Sequence, residues 1–260
     1  MPNPDLANVW AIVLGCTAAA AAGLVGAFAL MKRTILAGDV MSHITIPGLG
    51  LAVIWKINPL VGGGLTLVVG ILLIWKLGSA TELSTEAGIG VMFATAVALG
   101  ALLMHSSEEL VDALFGGFAS VSPGTFAFGM AASLVVAAAL WRLRHRLILS
   151  LFSTELATAS GVNVQATNLW FLLLFGLAIL SSLQFLGGLL VGALIIVPAS
   201  TARQLTHSLG AFLTASALLA VAAMAAGFFL SAHYGLELGP TVIVAAAAMF
   251  ALSLLPMRLR

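Results

Sequence analysis

Apolar segments of helix length recur along the whole chain, and this repetition is the strongest constraint on its fold. A helix needs about 20 largely apolar residues to cross the hydrocarbon core of a bilayer. A β-barrel would instead show segments of about 10 residues with alternating hydrophobicity. The sequence predicts an all-α, polytopic membrane helix bundle. Its nine candidate spans are 9–31, 35–55, 59–77, 86–104, 122–141, 168–186, 187–206, 209–232 and 240–257.

The composition agrees with a chain that lies in lipid. Of the 260 residues, 62% are hydrophobic and 7% are charged, whereas soluble domains carry about 25% charged residues. The net charge of +1 provides no basic field for a nucleic acid, so we expect no nucleic-acid partner. We expect a single transmembrane domain over residues 1–260.

The number of spans depends on the stretch 168–206, which is one apolar run interrupted by Gln184, Gly187 and Gly188. Two short helices joined by a tight turn give nine spans, and one long helix with a re-entrant piece gives eight. Basic residues favour cytoplasmic loops. With nine spans and the N-terminus outside, only Lys56 of the ten basic residues lies outside. The predicted inside set is Lys32, Arg33, Lys76, Arg142, Arg144, Arg146, Arg203, Arg258 and Arg260. The C-terminus is then cytoplasmic.

One carboxylate lies within a predicted span. Asp39 precedes His43 by four residues, which on a helix brings the two side chains to one face. An ionisable side chain inside a membrane is costly and usually functional. The pair could be a structural ion pair, a proton relay, or a transient metal site on a cation path, since Asp and His both bind zinc, manganese and iron(II).

Prolines and glycines suggest where helices bend or break. Pro47 and Gly48 follow the Asp39–His43 pair directly, so we expect a bend or break there that lines a path. Pro198 predicts a second kink, with Ser200 and Thr201 taking up freed carbonyls.

Residues 142–167 form the one long polar segment. Thr154 and its small polar neighbours predict the start of a short helix that ends at Gly161. Such a helix could receive a soluble partner or could be a simple connector. The sequence contains no G-x-x-x-x-G-K-S/T motif, so no ATP hydrolysis is expected on this chain. His105, Glu108 and Glu109 are a weaker candidate metal site at a membrane boundary.

Five ordered blocks resemble the ABC-3 family, the membrane permeases of bacterial zinc, manganese and iron ABC importers. The run from Lys32 to Gly48 resembles the family's basic pair, Gly-Asp-x-x-Ser/Ala-His and Leu-Pro-Gly pattern, and is most similar to the zinc-type permeases. The other four blocks are Asp112–Gly116, Ser153–Val162, Leu194–Arg203 and Gly239-Pro240-Thr241.

The resemblance implies a multi-pass permease of the bacterial plasma membrane that imports a divalent metal ion. It implies a homodimer, cytoplasmic ATPase subunits, an extracytoplasmic metal-binding protein and no permanently bound cofactor. Asp39 and His43 would be ligands for the metal, and the coupling residues would be Glu155, Leu156, Ala157 and Gly161. The residues of the path and its helix breaks would be Pro47, Gly48, Pro198, Gly239 and Pro240. An ATP-independent secondary carrier or channel is the alternative, and an intramembrane metalloenzyme is a third hypothesis.

Overall fold

The structure, a computed structural model, describes residues 4–80, 85–103 and 123–254. Every regular element in these ranges is an α-helix, which confirms the all-α prediction. The helices are α1 (Pro4–Met31), α2 (Leu36–Trp55), α3 (Pro59–Ala80), α4 (Thr85–Leu103), α5 (Pro123–Phe152), α6 (Thr154–Ala159), α7 (Val164–Leu205), α8 (Leu209–Tyr234) and α9 (Leu238–Ser253).

Helix α1 is central in the bundle and packs against α5, α7 and α8. Its small residues allow close helix contact: a Cβ on Gly23 would lie 2.5 Å from the carbonyl oxygen of Ser216 in α8. The Ser216 hydroxyl donates a hydrogen bond of 2.6 Å to the carbonyl of Gly23. Small residues and interhelical hydrogen bonds are the usual means of helix association in lipid, where the hydrophobic effect gives no drive.

Helix α7 has helical hydrogen bonding over 42 residues, yet it cannot be straight. A Cβ on Gly38 of α2 would lie 2.7 Å from Phe175 Cζ and 3.6 Å from Ile195 Cγ2. Twenty residues of straight helix would separate Phe175 and Ile195 by about 30 Å. The chain therefore reverses between them, in the stretch where Gly187 and Gly188 predict a turn. The C-terminal half of α7 returns along its N-terminal half.

Five helical segments in the described ranges are long and apolar enough to cross a membrane: Val9–Met31, Pro59–Leu77, Pro123–Phe152, Val164–Leu183 and Leu209–Tyr234. Four shorter apolar helical segments accompany them: Val40–Trp55, Gly90–Leu103, Leu190–Leu205 and Leu238–Ser253. Large apolar side chains such as Leu102, Leu218 and Phe229 are at least 68% exposed. The outer surface thus suits lipid, and the polytopic bundle is confirmed, while the count of nine spans stays a prediction.

Several helix ends meet at one end of the bundle. Lys32 after α1, Trp75 in α3, Ser150 in α5 and Val164 in α7 line one cavity. We call this end, which carries Lys32 and Arg33, the basic end. At the C-terminal ends of α7 and α9, the Ser253 hydroxyl donates a hydrogen bond to Gln204 Oε1.

Helix α5 is longer than predicted. It continues beyond residue 141 to Phe152, so the first part of the segment 142–167 is helix and not connector. Arginine has a high helix propensity, which allows the helix to continue through Arg142, Arg144 and Arg146. The Arg144 guanidinium lies 3.9 Å from the centre of the Trp141 ring.

Candidate functional site

Helix α2 carries the predicted site and is enclosed by neighbours. It packs against α3, α4 and α7, and its Met41, Ser42 and Thr45 are at most 1% exposed. Asp39 and His43 both lie on this one continuous helix, one turn apart, as their spacing predicts. The backbone of Asp39 is described, and its side chain lies outside the described part of the structure.

The His43 side chain is half-buried and faces helix α4. Its imidazole meets the Phe93 ring edge to face, with centroids 5.0 Å apart and an interplanar angle of 71°. Such aromatic contacts contribute about 0.5–1.5 kcal/mol beyond area burial. Phe93 therefore restricts the orientation of the imidazole. Phe93 is not among the residues predicted from the sequence, because nothing in the sequence places α4 beside His43.

The expected break after the pair is not found. Helix α2 continues through Pro47 to Trp55, so a break there is wrong, while a bend and a place on the path stay predictions. Gly48 instead has a packing role: a Cβ on it would overlap the carbonyl oxygen of Gly62 in α3, and a Cβ on Gly62 would overlap the carbonyl of Gly48. Helices α2 and α3 approach closely at this point, and an intact helix satisfies its own backbone groups in an apolar setting, where unsatisfied ones are costly.

Pro198 also lies inside a helix, α7. The expected role of its neighbours needs correction. Ser200 and Thr201 donate to the carbonyls of Ile196 and Val197 over 2.8 and 2.9 Å. Proline has no backbone N–H, so Pro198 donates no hydrogen bond to the carbonyl of residue 194, four positions earlier. The two hydroxyls therefore make ordinary helical back-bonds instead of repairing the proline site.

Gly239 and Pro240 lie in the first turn of α9, after Glu237. Proline is well tolerated there, because the first amides of a helix have no intrahelical acceptor. This pair therefore lies at a helix start, after the interruption between Tyr234 and Leu238, and its place on the path stays a prediction.

The segment after α5 contains the predicted short helix, α6. Its N-cap is Ser153 and not Thr154: the Ser153 hydroxyl accepts a hydrogen bond of 3.1 Å from the Leu156 amide. Gly161 follows the last turn with φ of +77°. The Val162 amide donates to the carbonyl of Ala157 over 2.9 Å, which completes a Schellman motif. The predicted stop at Gly161 is confirmed.

Helix α6 has one buried and one exposed side. Ala157 is fully buried, and α6 packs on α5 and α7. Glu155 is exposed, Leu156 is 55% exposed and Phe152, the last residue of α5, is 85% exposed. Two large apolar side chains beside an exposed carboxylate form what we call the docking face, Phe152–Leu156. Phe152 is not among the residues predicted from the sequence, since aromatic residues at helix ends are common at membrane interfaces.

Two of the other histidines that the structure describes make ring and hydrogen-bond contacts. His233 packs between the rings of Phe229 and Tyr234, with centroids 6.1 and 4.9 Å away. His145 accepts a hydrogen bond of 3.3 Å from Arg144. His105, Glu108, Glu109 and the block Asp112–Gly116 lie outside the described residues. Within the ranges that are described, no three His, Cys, Asp or Glu side chains come together as a metal site.

The fold and the site together define a polytopic α-helical membrane protein with a polar pair on a helix inside the bundle, the architecture of a membrane permease. Over residues 7–256 the chain matches the ABC 3 transport family. The chain belongs to that family.

Two curated relatives and one solved structure support this assignment. The manganese transport system membrane protein MntC of Halalkalibacterium halodurans is 29% identical, with 89% of this chain and 80% of the relative covered. The high-affinity zinc uptake system membrane protein ZnuB of Haemophilus influenzae is 27% identical, with 88% and 89% covered. The structure of PsaBC from Streptococcus pneumoniae in complex with Fab matches with a TM-score of 0.82 and 25% identity, covering 94% of this chain and 89% of that one.

Proposed function

We propose that this chain is the membrane permease subunit of an ATP-binding-cassette importer for a divalent transition metal ion. The observation that carries the proposal is the placement of Asp39 and His43 one turn apart on α2, a helix enclosed within the bundle. The names of MntC and ZnuB support manganese or zinc as the cargo.

The chemistry of the pair suits a cation in transit. A carboxylate and an imidazole are ligands that zinc, manganese and iron(II) share. A transport site must bind its ion strongly enough to admit it and weakly enough to release it. The pair supplies two such ligands from one chain, which is half of the four-ligand set that zinc usually takes.

A homodimer would double the pair to two Asp39 and two His43 side chains. A polar pair at a dimer axis would face its copy and an ion path instead of lipid, as intramembrane polar residues require. In this arrangement each chain contributes one transmembrane domain with nine spans. The reversal within α7 supports nine, because it turns one helical stretch into two membrane passes.

ATP hydrolysis would take place on separate cytoplasmic subunits. The chain has no P-loop motif, and the docking face Phe152–Leu156 offers exposed apolar side chains with Glu155 beside them. We assign α6 as the coupling helix that receives the movement of the ATPase. Gly161 ends it with a rigid cap, so a push on α6 passes to α7.

The basic end would be cytoplasmic by the positive-inside rule, which places the N-terminus outside. An extracytoplasmic metal-binding protein would deliver the ion to the opposite end. Five residues remain candidates for the path by their positions, although most of them have packing or helix-start roles: Pro47, Gly48, Pro198, Gly239 and Pro240.

The test is reconstitution into liposomes with and without the ATPase subunits. ATP-dependent accumulation of zinc or manganese that needs both components supports the proposal. Uptake by the permease chain alone, without ATP, would favour the secondary carrier or channel. The ligand preferences of zinc and manganese overlap, so an aspartate and a histidine do not by themselves select one of them. Competition between the two metals at equal concentration would identify the preferred cargo.

A further inference from the structure

A cavity of about 390 Å³ opens at the basic end of the bundle, apart from the Asp39–His43 pair. It lies between the C-terminal ends of α1, α3 and α5 and the N-terminal turns of α7. Its polar wall includes Lys32, Thr34, Gln165 and Asn168, and its apolar wall includes Phe171. The proposed transport cycle uses none of these residues.

Lys32 brings a positive charge into this cavity. Its ammonium donates a hydrogen bond to Asn168 Oδ1 and lies 5.2 Å from the centre of the Phe171 ring. An ammonium has three N–H donors, and Asn168 is a neutral partner. Among the described residues that line the cavity, Lys32 is the one ionisable side chain. No carboxylate of this described lining neutralises its charge.

Thr34 adds an unsatisfied polar atom. Its hydroxyl oxygen is buried and makes no hydrogen bond to any atom in the described part of the chain. Burying a hydroxyl without a partner destabilises the fold. Such a group in a cavity wall can donate to an incoming acceptor.

The start of α7 adds a third attraction for negative charge. Val164 and Gln165 line the cavity and are the first residues of this helix. Asn163 caps the amide of Ala166 through Oδ1 over 3.0 Å. The first amides of a helix carry the positive end of its dipole and lack intrahelical acceptors, and this end attracts phosphate groups.

We propose that this cavity binds a phosphate group, carried either by the headgroup of an anionic phospholipid or by free phosphate. The ammonium of Lys32, the hydroxyl of Thr34 and the N-terminus of α7 supply charge and donors for phosphate oxygens. The cavity lies where the α1 and α3 spans end, and the headgroup region begins at this level if these spans cross a bilayer. Basic pockets between helices at the cytoplasmic surface are suited to anionic lipid headgroups.

The test measures retained lipid and free phosphate separately on the full chain. The chain is purified in detergent from membranes that contain phosphatidylglycerol, and native mass spectrometry counts phosphatidylglycerol against phosphatidylcholine added in equal amount. In the second arm, delipidated chain is titrated with inorganic phosphate against chloride at equal ionic strength, and the thermal midpoint is followed.

Lys32→Gln should lower retention or phosphate affinity by about tenfold or more, the usual effect of losing a hydrogen bond to a charged group. Arg33→Gln is the matched control. It removes the same charge from the next residue, which is exposed and lies outside the cavity wall. Thr34→Val keeps the side-chain shape and should weaken binding while keeping the fold, so it decides the matter if Lys32→Gln does not fold.

Selective loss of phosphatidylglycerol in Lys32→Gln and Thr34→Val supports a lipid headgroup. Loss of only the phosphate-dependent thermal shift in these variants supports free phosphate. The proposal is overturned if both variants bind as the wild type does. It is equally overturned if Arg33→Gln loses as much as Lys32→Gln, because general surface charge would then explain binding.

Discussion

The His43 imidazole and the Phe93 ring meet edge to face across the α2–α4 contact, with centroids 5.0 Å apart. Half of the proposed metal pair is thus oriented by a helix far away in the sequence. This contact links the packing of the bundle to the chemistry of the site, because a rotation of α4 against α2 would change the direction of the imidazole.

Removing either member of the pair should abolish metal uptake. We expect Asp39→Ala and His43→Ala to reduce ATP-dependent zinc or manganese accumulation by more than about tenfold, since each removes a ligand worth at least 1.4 kcal/mol. Assembly with the ATPase subunits should be unchanged. His233→Ala, at the end of α8, is the control and should transport normally. Normal uptake by both site variants would make the pair structural.

Phe93→Ala should weaken transport less than His43→Ala does. Loss of the edge-to-face contact removes about 0.5–1.5 kcal/mol that stabilises the orientation of the His43 imidazole. We therefore expect the uptake rate to fall severalfold. Phe93→Tyr keeps the aromatic ring and should transport at the wild-type rate. Initial uptake rates over a range of metal concentrations separate affinity from turnover, and equal rates for Phe93→Ala and the wild type would contradict a positioning role.

Gly48→Ala should destabilise the chain, because its Cβ would overlap the Gly62 carbonyl. We expect a loss of about 1–3 kcal/mol, the usual cost of overpacking. Gly90→Ala in α4 is the matched control, since a Cβ there meets nothing within 4 Å and alanine favours a helix. Thermal unfolding in detergent checks this, and equal midpoints for the two variants would contradict the α2–α3 contact.

Gly161→Ala should uncouple ATP hydrolysis from transport. At φ of +77° an alanine is strained by about 1 kcal/mol or more, so the cap of α6 would loosen. Glu155→Ala should have a similar effect by altering the docking face. The ratio of metal ions carried to ATP hydrolysed is the measurement. Glu237→Ala, at the start of α9, is the control, and an unchanged ratio in Gly161→Ala would count against coupling through α6.

Lys32 should make stability depend on pH in the alkaline range. Burial lowers the pKa of its ammonium from 10.5 to about 8. Between these values the folded chain has lost a proton that the unfolded chain still holds, so the free energy of unfolding rises with pH. Below about pH 8 both states are charged and this rise is absent. Lys32→Met should remove the rise in thermal midpoint, whereas Lys56→Met, at an exposed lysine, should keep it.

Local patterns in the sequence were sufficient to predict the fold class, the spacing of the polar pair and the end of α6. Hydropathy of helix length predicts an all-α membrane bundle, because the backbone in lipid must satisfy its own hydrogen bonds. The spacing of Asp39 and His43 places them on one helix face, and Gly161 predicts the end of α6 because a positive φ favours glycine. These features depend on residues close together in the chain.

Tertiary packing decided the rest. Pro47 and Gly48 look like a break in the sequence, but α3 lies against Gly48 and α2 continues. Phe93 beside His43, and Asn168 beside Lys32, are contacts between helices distant in sequence. Hydropathy reports that a residue is apolar and not which neighbour it meets. In a bundle whose helices are apolar on most sides, only side-chain size and close backbone approach choose the partners, and those become visible when the helices are packed together.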